Sequence, residues 1–400
     1  MVELIDLSDP GAFVDAPPHA MLEELRRTQP VYWQDMRDEP GFWAVLRHPD
    51  VVHVAREPQL FSASEGGVVL ENLPPEQLEM MRNMLLAMDP PRHVAYRKPL
   101  APSFTASVIG RMEDDVRAIC REIMAAAADR GEVEFVHDVA GPLPTPVIGQ
   151  LVGVPASDQE QIHRWAEQNT SGQDPELAGS DGGGGNPSLE MAMYAIGFAA
   201  RRRQEPPKPD LTSLILAGNF GGQPMSDLDF GSFFVQLVTA GNDTTKTMLA
   251  AGVLALLEHP DQLAELRADP TLIPAAVEEI LRWANPLHYF RRTATAATTL
   301  RDVPIAAGDK VLMYYTSANR DAEVFADPHR FDIHRAPNPH LSFGIAQHFC
   351  LGVHLARLEG RVFLEELLGT FPTIEVAGPP RRTRSNLNNA LKTLPLRLAA

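Results

Sequence analysis

The 400-residue sequence predicts a mainly α fold, α+β in character, with a large helical part and a smaller β-rich part. Three observations carry that prediction. Helical periodicity covers most of the chain, the strand-like runs are short and clustered, and no internal repeat appears. In chain order the helical stretches are Ala20–Thr28, Ile109–Arg130, Asp158–Gln168, Asp227–Leu257, Pro260–Ala268, Ile273–Trp283 and Gly352–Thr370. Strand-like runs lie near Val31–Arg47, Arg292–Leu300 and Lys310–Tyr315. The 35 prolines exceed the usual share and predict many element boundaries. Ser171–Pro187 is rich in Gly, Ser and Asp and reads as a mobile insertion. Both flanks are helix-rich, so one domain over 1–400 is expected.

A formal charge of −17 argues against nucleic acid as a partner, because phosphate binding needs a basic footprint. The two cysteines, Cys120 and Cys350, make no disulfide framework and suit a reducing cytoplasm. No apolar run is long enough for a membrane anchor, so a cytoplasmic protein is expected, and a monomer is expected as well.

Cys350 sits in a glycine-bracketed loop that opens the helical stretch from Gly352. Backbone N–H groups and the positive end of the helix dipole converge there and stabilise a thiolate. Read alone, Cys350 is an ordinary buried cysteine, and Cys120 keeps that reading. The neighbouring residues reverse it for Cys350. Phe343-Gly344-Ile345-Ala346-Gln347-His348-Phe349-Cys350-Leu351-Gly352 resembles the haem-binding loop of the cytochrome P450 family, F-G-x-G-x-H-x-C-x-G. Ala346 departs from it, standing where the family carries glycine. The resemblance implies haem b (iron protoporphyrin IX), Cys350 as the iron ligand, and Phe343 and Gly352 beside the cofactor.

Other family signatures follow in the expected order. Glu279-Ile280-Leu281-Arg282 resembles E-x-x-R, and i, i+3 spacing puts both ends on one helix face. Arg330 is expected as the third member of this lock, with Arg335 next. Asp89-Pro90-Pro91-Arg92-His93 through Arg97 resembles D-P-P-x-H-x-x-x-R. By that match His93, Arg97, Arg292 and His348 hold the haem propionates. Within Asp227–Leu257, Ala240-Gly241-Asn242-Asp243-Thr244-Thr245 places poor helix formers mid-helix. A helix boundary capped by Asp243 or Thr244 is the plain reading. Alternatively Thr244 bonds back to the Ala240 carbonyl, and Gly241 leaves room for a small ligand. The matching family element, A-G-x-[D/E]-T-[T/S], implies that Thr244 orders oxygen and that Asp243 gates protons.

The resemblance spans nearly the whole chain and implies a single P450 domain, with haem between the long distal helix and the proximal cysteine loop. It implies a monooxygenase that hydroxylates or epoxidises a lipophilic molecule with O2. Electrons would come from NAD(P)H through a separate ferredoxin reductase and ferredoxin, since no flavin-binding signature appears. Lys98, Arg111 and Arg357 are candidate docking residues. Family topology implies a pocket drawn from Met84, Val235, Val238, Thr239, Ala240, Leu287, His288, Tyr289 and Leu387, with His288 and Tyr289 orienting a polar group. The Gly-rich insertion falls where the family has its lid. A terpenoid, a steroid or a branched fatty chain is the expected substrate. Two alternatives stand beside this reading. A peroxide-driven enzyme would not need the Asp243–Thr244 pair, and a silent haem-binding module should lack one of Cys350, Glu279, Arg282 or Thr244.

Overall fold

The structure, a computed structural model, describes residues 4–170, 172–177 and 186–399. Much of the Gly-rich insertion, residues 171 and 178–185, lies outside the described residues, and with it most of the expected lid. The part that is described is tied down: the Gln173 amide donates to Asn386 Oδ1 at 3.0 Å, and buried Asp174 pairs with Lys392 at 2.6 Å.

One helix organises the rest. Asp227–Glu258 runs unbroken for 32 residues, capped by the Ser226 hydroxyl on the Asp229 N–H. The glycine and paired threonines at its middle therefore do not end it. It is apolar nearly all round because it is enclosed on nearly all sides. Helices Pro144–Val152, Ala156–Thr170, Pro187–Arg202, Ile273–Ala284 and Val353–Thr370 all pack against it. Their contacts form the main core. Among the described residues, no helix is long and apolar enough to cross a membrane.

The smaller part is a five-stranded sheet. Val31–Gln34 pairs antiparallel with Phe42–Val45, Trp33 opposite Trp43. Phe42–Val45 runs parallel to Lys310–Tyr314, which pairs antiparallel with Tyr289–Ala294, Arg292 opposite Val311. Phe61–Ser62 closes the far edge. Alternation along Lys310–Tyr314 sends Val311 and Met313 into one apolar cluster and Leu312 and Tyr314 into another. Both faces are covered, so the strand is buried throughout. The sheet delivers Phe290 and Arg292 to the cavity described next.

Candidate active site

Cys350 is positioned by a tight loop. Its N–H donates to the Phe343 carbonyl at 2.8 Å, and the helix Val353–Thr370 begins just beyond. Gly344 (φ +65°) and Ala346 (φ +58°) both take the left-handed backbone region. Glycine adopts it freely, whereas the alanine Cβ costs about 1–2 kcal/mol there. Burial pushes the Cys350 thiol up, while the Gly352 N–H and the charges of Arg97 and Arg357 pull it down.

The sulfur faces a cavity of about 1530 Å³, its open mouth included. On the cysteine side it is lined by His93, Arg97, Arg292, Phe343, His348 and Gly352. These residues fit a haem. Both ring nitrogens of buried His93 and Nε2 of His348 lack a protein partner among the described residues. Arg292, 4% exposed, donates only to the neighbouring Arg291 carbonyl. Burial, with Arg97 nearby, takes His93 down to about 4; burial, with Arg292, takes His348 down to about 2. Such a set of buried donors and unpaired cations needs anions, and two propionate carboxylates meet that need.

Opposite the cysteine, the central helix presents Phe233, Gln236, Leu237, Ala240, Gly241, Thr244 and Thr245, a stripe at i, i+3, i+4 spacing. Thr244 Oγ1 donates to the Ala240 carbonyl at 2.6 Å. A Cβ on Gly241 would stand 2.7 Å from Ile148 Cδ1, so this glycine makes room for the helix Pro144–Val152. Asp243, one residue round the helix, faces a separate polar crevice together with Glu167, Lys246 and Lys392. There Lys246 lies 3.2 Å from Asp243 and 3.1 Å from Glu167. Burial lowers the Lys246 ammonium, but the two carboxylates outweigh it and hold the group above its ordinary value.

Glu279 and Arg282 are both fully buried and bidentate, at 2.7 and 2.8 Å. The third member is Arg335, whose Nε lies 3.1 Å from Glu279. This corrects the expectation of Arg330. Arg330 has an exposed side chain and contributes only its carbonyl, which accepts from Arg282 at 3.1 Å and from Arg335 at 2.8 Å. The turn between them points one side chain out and brings the other back, which local pattern does not reveal.

The expected pocket set needs a larger correction. Ala240 and Leu287 line the cavity; Met84, Val235, Val238, Thr239, His288, Tyr289 and Leu387 do not. Val235, Val238 and Thr239 sit on the wrong phase of the helix, since a contiguous window contains residues of every face. His288 bonds Thr316 at 2.8 Å and packs on Phe13. The Tyr289 hydroxyl accepts the Leu70 N–H at 3.2 Å, and strand alternation turns Phe290, not Tyr289, to the cavity. Leu387 packs with Tyr289 beyond the sheet, and Leu85 and Leu86 take the place of Met84. Among the lining residues outside the named pocket set, two carry notable polar groups: Gln236 and Glu359. Each had a signal, a polar residue on an otherwise apolar helical stripe. For Glu359 that stripe is Leu355, Val362 and Phe363. Burial pushes its carboxyl up to about 8, with Thr245 Oγ1 as its one hydrogen-bond donor at 3.4 Å.

A mainly helical fold around one long helix, a lone cysteine at a helix start and a seat for a dicarboxylate macrocycle define a haem-thiolate protein. The cytochrome P450 family model matches residues 199–397. A steroid C26-monooxygenase of Mycolicibacterium smegmatis is 36% identical over 397 residues, covering 97% of this chain and 92% of that protein. A methyl-branched lipid omega-hydroxylase of Mycobacterium bovis is 38% identical over 384 residues, covering 93% and 89%. Among solved structures, Mycobacterium marinum cytochrome P450 CYP268A2 in complex with pseudoionone has a TM-score of 0.87 at 38% identity, covering 95% of this chain and 94% of that one. The chain belongs to the cytochrome P450 family and is a haem-dependent monooxygenase.

Proposed function

We propose that the protein inserts one oxygen atom from O2 into a lipophilic small molecule of the terpenoid, steroid or branched fatty class. Electrons arrive from NAD(P)H through a ferredoxin reductase and a ferredoxin. The observation that carries this reading is the cavity: a thiol and an anion-hungry cationic seat on one side, an apolar wall broken by Thr244 on the other. The named activities of the relatives, on steroid and methyl-branched lipid, support the substrate class.

When bound, haem with a thiolate ligand supplies oxygen activation and O–O cleavage. The chain does the rest. Cys350 would ligate the haem, with the Gly352 N–H moderating the thiolate's charge. His93, Arg97, Arg292 and His348 would clamp the haem carboxylates. Thr244 holds its hydroxyl at the cavity wall, and Asp243 stands on the crevice side of the same turn. Together the two residues link the polar crevice to the apolar cavity, as a proton path requires. Leu85, Leu86, Phe233, Leu237, Leu287 and Phe290 exclude water and pack the substrate.

Lys98 and Arg111 are exposed and form no ion pair among the described residues; Arg357 is held by Glu278 at 2.7 Å. Charge reversal at Lys98 and Arg111 should slow reduction by the ferredoxin, and unchanged rates would remove them from the docking face. The reading as a whole is tested by the carbon monoxide spectrum of the reduced protein, followed by spin-state titrations with terpenes, steroids and fatty acids. A thiolate-type Soret band with oxidised product supports it. A haem spectrum with no turnover on any lipophile would point to a binding module instead.

A further inference from the structure

Sorting the cavity wall by chemistry leaves one side chain of the central helix unaccounted for. The basic groups His93, Arg97, Arg292 and His348 all lie on the cysteine side and are taken up by the haem seat. The upper wall is built from Leu85, Leu86, Phe233, Leu237, Leu287 and Phe290. Three side chains with hydrogen-bonding groups line this space from the central helix, Gln236, Thr244 and Thr245, and the Thr245 hydroxyl donates to Glu359. The Thr244 hydroxyl already donates to the Ala240 carbonyl.

Gln236 is far less satisfied. Its amide offers two N–H donors and a carbonyl with two lone pairs. Among the described residues its one hydrogen bond is a long one, the Leu86 N–H on Oε1 at 3.4 Å. The NH2 donates to nothing there. An amide on an apolar wall carries a desolvation cost that a leucine would not, unless a ligand pairs with it.

The placement sets a length. Gln236 and Thr244 lie on one face of a continuous helix, two turns apart, or about 12 Å along its axis. The geometry points to Gln236 as a specificity-determining residue that hydrogen-bonds a neutral carbonyl or hydroxyl group on the substrate, about 12 Å from the carbon presented at the Thr244 end. A free carboxylate is disfavoured at that position, because among the described residues the upper wall holds no cation to pair with it. The inference rests on the monooxygenase reading above and narrows its substrate to oxygenated but uncharged lipophiles.

The experiment uses the haem-loaded full chain and two probes of matched shape. One is geranylacetone, an acyclic terpenoid with a methyl ketone at one end. The other is the diene of the same carbon skeleton with a methylene in place of the carbonyl. Spin-state titration should show the ketone binding about five- to tenfold tighter. In Gln236→Leu the ketone should weaken to the level of the hydrocarbon, the hydrocarbon should hold, and oxidation should spread over more carbons. Equal affinity of the two probes for the wild type would overturn the inference. So would a Gln236→Leu variant that weakens both probes alike, since that marks a strut between the helix and the Leu86 loop. If Gln236→Leu loses the wild-type carbon monoxide band, Gln236→Met carries the same comparison. A wild type that neither binds nor oxidises any lipophile fails the monooxygenase reading itself, whereas one that oxidises both probes without preference fails only the role of Gln236.

Discussion

Glu279 and Glu359 are buried to nearly the same extent, 0% and 2% exposed, yet their surroundings are opposite. Glu279 receives two bonds from Arg282, one from the Asp332 N–H, one from the Asn338 amide, and the Arg335 guanidinium. Glu359 receives one long bond from Thr245, and its Oε1 has no protein partner among the described residues. The first acid is the hub that pins the segment around Arg330 and Arg335 onto the helix Ile273–Ala284. The second is a carboxyl that burial holds protonated near neutral pH. Burial alone thus says little about an acid; the donors that reach it decide its role.

The largest expected effect comes from making the first acid resemble the second. Arg282→Met strands the Glu279 carboxylate and should cost about 3–5 kcal/mol, read as a fall in denaturation midpoint and in haem retained. A loss under 1 kcal/mol would mean that Arg335 suffices alone.

Neutralising the second acid tests the other half. The Glu359 carboxyl is raised from 4.5 to about 8, so its protonated form favours the folded state. That contribution is complete below about pH 4.5 and is lost as pH rises toward 8. Glu359→Gln should match the wild type near pH 4.5 and exceed it by on the order of 4 kcal/mol at pH 8. Parallel stability curves across that range would show that Glu359 finds partners beyond Thr245.

The corrected third member gives a smaller contrast. Arg335→Met should cost about 1–3 kcal/mol, because it removes a guanidinium from a buried carboxylate. Arg330→Ala, which leaves the carbonyl in place, should stay within about 0.5 kcal/mol. Equal losses would restore Arg330 to the lock.

The smallest effect concerns the backbone, where a mismatch sits beside Cys350 as Glu359 sits behind the central helix. Ala346→Gly relieves a left-handed alanine and should stabilise the loop by about 1 kcal/mol. Because that loop carries the Cys350 N–H and the Gly352 N–H, a redox titration is the second readout. An unchanged midpoint potential would confine Ala346 to stability.

Much of this molecule was legible in advance because it rests on local rules. The stretch Asp227–Leu257, the back-bond of Thr244 to Ala240 and the Glu279–Arg282 pair all follow from helical spacing. Of the other helices, Arg92–Leu100 was expected only through the family resemblance and Pro187–Arg202 was missed, for reasons equally local. One contains Pro99 and is largely polar. The other buries Met191, Ala195 and Phe198 yet exposes Leu189 and Met193, so its periodicity is blurred.

By itself, then, the sequence determined the elements and residue types that the chemistry needs: the cysteine at a helix start, the acid–base pair at i, i+3 and the threonine that bonds one turn back. Only the tertiary structure decided which faces meet. It chose Arg335 over Arg330, Phe290 over Tyr289 and Gln236 over Val235. A helix or strand specifies the phase of its side chains to within a turn, but the side that faces a cavity depends on neighbours far away in the chain. Whether Glu279 or Glu359 finds its donors is settled by the same distant packing.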